Sequence, residues 1–168
     1  MSFTASSPED QLLDAARRGD VPALREALAA GVPIDARDAK GFSALVLASY
    51  GDHLDATRFL LDQGASPNHQ DASGNTALMG ISFKGYAEIA RLLIERGADL
   101  NRQNGGGSTA LMFAAMFGRH EMLQLLLDAG ASKHITDARG LTALHLAGQQ
   151  GKETTLALLG GGPAQQGA

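Results

Sequence analysis

Four glycines, Gly31, Gly64, Gly97 and Gly130, stand 33 residues apart, and a second set, Gly41, Gly74, Gly107 and Gly140, keeps the same interval. Leu12, Leu45, Leu78, Leu111 and Leu144 form a five-membered series with that period, as do Ala15, Ala48, Ile81, Ala114 and Ala147. The tetrapeptides SALV, TALM, TALM and TALH fall in the same register, and so do LLDQGASPN, LLIERGADLN and LLLDAGASKH. Independent series sharing one period constrain the fold more than any other feature of this chain. They require one supersecondary unit stacked several times, each copy burying its apolar face only against its neighbours.

The unit itself can be read from its punctuation. Ser43, Thr76, Thr109 and Thr142 are expected N-caps, because a hydroxyl there accepts from an orphan amide of the helix that follows. That helix is short and is expected to close near Asp52, Gly85, Gly118 and Gly151, where a left-handed residue ends it. Asp52 is the odd member, with Gly51 one place early, so a slightly different turn is expected there. A second helix carries paired leucines (Leu60–Leu61, Leu92–Leu93, Leu126–Leu127) and ends at the Gly31 series. The polar, turn-rich remainder suits an extended, hairpin-like connection.

With these residues in view the chain resembles the ankyrin repeats, whose unit of 33 residues pairs two antiparallel helices with a hairpin finger. The family's helix-opening Thr-Pro-Leu-His is altered here: Ala44, Ala77, Ala110 and Ala143 stand where the family has proline, and only His145 keeps the histidine. Alanine is a good helix former, so this departure leaves the fold intact. The resemblance implies an all-α repeat solenoid, a single domain over residues 5–160. Its five repeats are expected at about 5–37, 38–70, 71–103, 104–136 and 137–160, with a disordered tail at 161–168. The end repeats carry cap features: Asp14, Arg17 and Arg18 make a polar first helix in repeat one. The TALM variant resembles bacterial members of the family.

Helical spacing places Leu111, Ala114 and Ala115 on one side of the first helix of repeat four, as core. Met112 and Met116 lie on an adjoining face, equivalent to Val46–Tyr50, Met79–Phe83 and His145–Gln149. The resemblance implies that the later member of each pair lines a concave groove, together with the next residue and the finger tips. Tyr50, Phe83 and Met116 would then form an apolar stripe across three repeats, flanked by Lys84 and Phe117. Phe42 and Leu141 occupy equivalent finger positions and are expected to be exposed there. The competing reading is that the stripe fills space between adjacent first helices.

Other chemistries find little support. A chain of 168 residues with formal charge −4 and no run of three basic residues is a poor ligand for nucleic acid. It has no cysteine, which excludes disulfides, thiolate metal sites and a thiol nucleophile. His145 is expected to be structural, its ring bonding neighbouring loop backbone. His53 and His120 fall at the starts of second helices, away from the groove, and His69 and His134 fall in fingers two repeats apart. No pair has the i, i+4 spacing of a helical metal site. The stretch NGGGST (104–109) lacks the Lys-Ser/Thr of a phosphate loop and reads as a flexible finger tip. Ser43, Ser73 and Ser108 sit at caps and turns with no base beside them. The acids Asp35 and Asp38 read as solvated finger residues. Asn101, in LIERGADLN, resembles the ankyrin position at which asparagine hydroxylation occurs in animals.

The expectation is therefore a non-catalytic interaction module without cofactor or metal. It would grip a folded protein through the concave groove, with Lys40, Arg139 and Asp71 tuning specificity. Small stand-alone relatives of this type resemble inhibitors of a toxin or chaperone-like companions of a stress enzyme, and the acidic balance favours a basic partner. The alternative is a self-associating homodimer that buries the same stripe, so a monomer or weak dimer is expected. The N-terminus MSFTASSPEDQLL lacks the basic and apolar regions of a secretory signal, and no apolar run approaches the ~20 residues of a membrane helix. A cytoplasmic location is the corresponding expectation.

Overall fold

The computed structural model describes residues 6–160, so the tail expected at 161–168 lies outside the described residues. Five helix pairs follow one another: α1 (Pro8–Arg18) and α2 (Val21–Ala29), α3 (Ala44–Tyr50) and α4 (Leu54–Asp62), α5 (Ala77–Lys84) and α6 (Ala87–Glu95), α7 (Ala110–Met116) and α8 (His120–Asp128), α9 (Ala143–Gln149) and α10 (Glu153–Leu158). The first helices α1, α3, α5, α7 and α9 pack side by side in one layer, and the second helices make the other. The fold is an all-α repeat solenoid.

The start signals act as expected. The hydroxyls of Ser43, Thr76 and Thr109 each accept from the amide three residues on, at 3.4 Å, and Ser7 does the same for α1 at 3.1 Å. Closure is also as expected. Gly85, Gly118 and Gly151 adopt left-handed φ, and Asp52, at φ 61°, is the non-glycine among the described residues that does so. The reason for the swapped order is the imidazole of His53. A Cβ at Gly51 would stand 2.8 Å from its ring, so the glycine is needed for space at 51 and the aspartate takes the strained backbone.

The periodic leucines and alanines form the core. Leu12, Leu45, Leu78 and Leu111 are buried, as are Ala15, Ala48, Ile81, Ala114 and Ala147. The fifth leucine departs from its series: Leu144 is only half-buried, because among the described residues no further repeat stacks on α9. A solenoid buries a residue of this kind by its next neighbour, and α9 meets no such neighbour among the described residues.

The fingers differ from the expected hairpins. Among the described residues their strand pairing amounts to one isolated bridge, Arg37 with Ser43. Each finger is instead folded around one side chain. Asp38 Oδ1 accepts from the amides of Lys40 (2.9 Å) and Phe42 (3.0 Å). Asp71, Asn104 and Asp137 repeat this arrangement with the amides two and four residues on. Asp38 is thus the organiser of its turn rather than a merely solvated acid. Adjacent fingers are then tied backbone to backbone: Ala72 N–H to Lys40 C=O at 3.0 Å, Gly105 to Ser73 at 2.9 Å, Ala138 to Gly106 at 2.9 Å. This close approach explains the glycines at 41, 74 and 107, since a Cβ at Gly74 would lie 2.7 Å from the amide nitrogen of Gly105, whereas Gly140 meets no such neighbour. The NGGGST loop is one of these fingers. Its amides at 105 to 108 are all engaged, by Ser73, by Asn104 Oδ1 and by the Asn104 carbonyl, which leaves none to cradle a phosphate.

Candidate functional site

Between α3 and α5, under the fingers that precede them, lies an open recess of about 520 Å³. Phe42 comes from one finger, Asp71 and Asn75 from the next, Leu47 and Tyr50 from α3, Met79, Gly80 and Phe83 from α5, and Phe113 reaches in from α7. The walls are mostly apolar because the first helices turn these positions toward each other. Position 80 falls in the periodic series Leu47, Gly80, Phe113, Leu146, and only there does the helix contribute no side chain.

Tyr50 is the exposed wall: it is 46% exposed, and a Cβ on Gly80 would meet its Cδ2 at 3.2 Å. Lys84 lies over the same ring, with Nζ 4.9 Å from the Tyr50 centroid and 5.7 Å from that of Tyr86. A cation held against aromatic faces is stabilised by their quadrupoles. On the other side Phe83 meets Phe117 edge to face, with centroids 4.6 Å apart and planes at 88°.

The residues singled out in the sequence are distributed unevenly. Phe42, Tyr50 and Phe83 line the recess together. Lys84 and Phe117 adjoin it through Tyr50 and Phe83. Met116 is half-buried against the core of repeat four, one helix further on, whereas Phe117 is 41% exposed. Met112 and Met79, the earlier members of their pairs, are fully buried. Lys40 is exposed on its finger. Phe42 and Leu141, both expected to be exposed, are half-buried, Leu141 packing on the core, and Arg139 is spent on its own turn. Its Nη2 and Nε both donate to Asp137 Oδ2, at 2.8 and 3.1 Å. The Leu141 amide, followed by the Arg139 guanidinium and amide, holds the Asp137 carboxyl below its usual value of 3.8 despite burial.

Lining residues that escaped the sequence reading include Gly80, Leu47, Phe113 and Asn75. The break at Gly80 in an otherwise bulky series was the available signal. Arg17 is another. It lines the recess while pairing with Asp14 at 2.6 Å and, across the repeat boundary, with Asp38 at 3.1 Å.

The histidines do not converge. His145 Nδ1 sits 3.1 Å from the amide of its own cap, Thr142, instead of bonding a neighbouring loop. His53 lies closer to the groove layer than expected, its Nε2 2.9 Å from the carbonyl oxygen of Arg17 in α1. His69 Nδ1 is 3.5 Å from Asp35. Among the described residues no group of three or more His, Asp or Glu side chains could hold a metal ion. No helix among them is long and apolar enough to cross a membrane.

The family comparison fits this architecture. A family model described as ankyrin repeats (3 copies) matches residues 12–104, and a second, ankyrin repeats (many copies), matches residues 93–147. The chain belongs to the ankyrin-repeat family. Over 67 residues this ankyrin-repeat chain is 41% identical to ankyrin repeat domain-containing protein 29 of Danio rerio and 40% identical to that of Homo sapiens. Each match covers 39% of the chain and 22% of the relative, so the similarity spans about a fifth of those longer proteins. Ankyrin repeats are in general protein–protein interaction modules and in general non-catalytic.

Proposed function

We propose that this ankyrin-repeat protein is a non-catalytic docking module that binds a folded protein partner through the groove formed by its first helices and fingers. One observation carries the reading: Tyr50 stands exposed at the edge of an apolar recess shared with Phe42, Phe83 and Phe113. Aromatic side chains at the centre of such a surface supply large contact area with few torsions to freeze, which is why they dominate interface energetics. The scaffold favours the same use. Repeats tied helix to helix and finger to finger are preorganised, so little conformational freedom is lost on docking. A role as inhibitor of a toxin or as chaperone-like companion of a stress enzyme fits a small module of this kind, in a cytoplasmic setting.

The test is affinity capture from lysate of the source organism with wild type beside a Tyr50→Glu, Phe83→Glu, Met116→Glu variant of native circular dichroism. A protein retained by wild type and lost by the variant supports the groove. Equal retention by both would overturn it in favour of the fingers or the second helices. A sizing column at two protein concentrations separates partner docking from the homodimer that would bury the same surface.

A further inference from the structure

We propose that the recess over Gly80 receives one large apolar side chain of a partner's polypeptide segment, and that Lys84 at its rim pairs with a carboxylate beside that side chain. This rests on the groove-docking reading and adds the chemistry of the occupant.

The volume of about 520 Å³ falls within the ~300–1,000 Å³ of pockets that take a whole drug-sized ligand, so it has room for the largest apolar side chain and part of its neighbour. One wall is bare backbone because a helix-interior glycine stands where the neighbouring repeats place Leu47 and Phe113, and the Tyr50 ring packs against it. Its walls offer aromatic faces and a Met side chain, which suit an apolar guest and adapt to its shape.

The electrostatics select what stands next to that guest. The net charge of −4 would favour a basic partner, but it is carried mainly outside the groove. Helices α3, α5, α7 and α9 contain no acidic residue. The acids of repeats two to five lie mainly on the second helices, as Asp55, Glu88 and Glu121 do. The acids on the finger side are internally satisfied. Asp38 bonds two amides and Arg17, Asp71 bonds two amides and Asn75, and Asp137 bonds two amides and Arg139. Lys84, in contrast, rests on two aromatic rings and has no carboxylate within ion-pairing distance among the described residues. Asp71, held only by uncharged donors, keeps its negative charge on the finger side of the recess. At the α5 rim, however, Lys84 is an unpaired cation among the described residues, and a carboxylate placed there gains in rate and in specificity of association.

The probe is a display library of short random peptides, selected on the full chain and depleted on Gly80→Leu. Leucine at 80 restores the periodic side chain, and its Cβ meets the ring of Tyr50, a residue 46% exposed. The expected consensus is a Phe, Leu, Met or Trp with an Asp or Glu next to it. A synthetic consensus peptide should bind wild type and weaken about tenfold or more on Gly80→Leu. On Lys84→Glu it should weaken similarly, and the same peptide with Lys replacing its acid should recover. Basic or neutral flanks, no enrichment, or unchanged binding by both variants would overturn the proposal. Lys84 is half-buried at the rim and outside the core, so Lys84→Glu of native circular dichroism keeps the charge test independent of whether Gly80→Leu folds. If the peptides fail while groove-dependent capture of a folded protein persists, only this inference falls. If capture also ignores the groove, the docking reading falls with it.

Discussion

The imidazole Nε2 of His53 lies 2.9 Å from the backbone oxygen of Arg17, joining the start of α4 to the end of α1 across a repeat boundary. A carbonyl can only accept, so Nε2 carries the proton. The ring is seated between Gly19 and Gly51, where Cβ atoms would stand 2.6 and 2.8 Å from it. Arg119 makes the equivalent tie two repeats on, its Nε donating to the Phe83 carbonyl at 2.9 Å. These bonds fix the first-helix ends that frame the groove.

His53→Ala is expected to cost about 0.5–1.5 kcal/mol, the net worth of an ordinary hydrogen bond, in denaturant unfolding. Gly51→Ala should destabilise wild type by forcing the ring aside, and should be milder in the His53→Ala background. A double-mutant cycle reads this coupling; strict additivity would show that the ring does not dictate glycine at 51.

Gly80→Ala separates stability from binding. Removing a helix-interior glycine is worth about 0.5–1 kcal/mol, less the adjustment of Tyr50 around a contact of 3.2 Å. The thermal midpoint is expected to hold or rise while affinity for a groove ligand falls. A clear loss of stability would mean that Tyr50 cannot yield.

The two methionines of α7 should respond differently. Met112 is 1% exposed, so Met112→Ala is expected to cost roughly 2–5 kcal/mol. Met116→Ala should cost less, because its side chain is only partly enclosed, and Phe117→Ala, at the exposed end, should be nearest neutral. Equal costs in urea unfolding would contradict the placement of these side chains.

Asp137 gives repeat five a pH dependence of known sign. Its folded carboxyl titrates below the usual 3.8, so its contribution is complete above that value and is lost as the pH falls through the folded value. Asp137→Asn keeps the acceptor oxygen, as Asn104 does in its own finger, and should flatten this dependence. Amide exchange at Arg139 and Leu141 down an acid series is the direct readout; identical profiles for both proteins would exclude the carboxylate as the source.

Much of the solenoid could be read before folding is considered. A hydroxyl at 43, 76, 109 and 142 caps whatever helix follows it, and a glycine at 85, 118 or 151 permits the left-handed turn that closes it. These are local effects, dictated by a residue and its next few neighbours. The period then carries Leu12, Leu45, Leu78 and Leu111 into one core. Phe42, Tyr50 and Phe83 could be nominated from their register taken together with the resemblance to ankyrin repeats.

What only tertiary structure decided is how positions in different repeats meet. In sequence Gly80 is a weak helix residue; between Leu47, Phe113 and Tyr50 it is the floor of a cavity. Asp38 becomes a turn organiser paired with Arg17, Leu144 loses its cover at the end of the stack, and Lys84 finds two aromatic rings rather than an acid. Caps and turns depend on bonds a few residues long and are written in order along the chain. The shape and charge of the groove depend on which side chains are absent or already paired across repeat boundaries, and packing alone sets that.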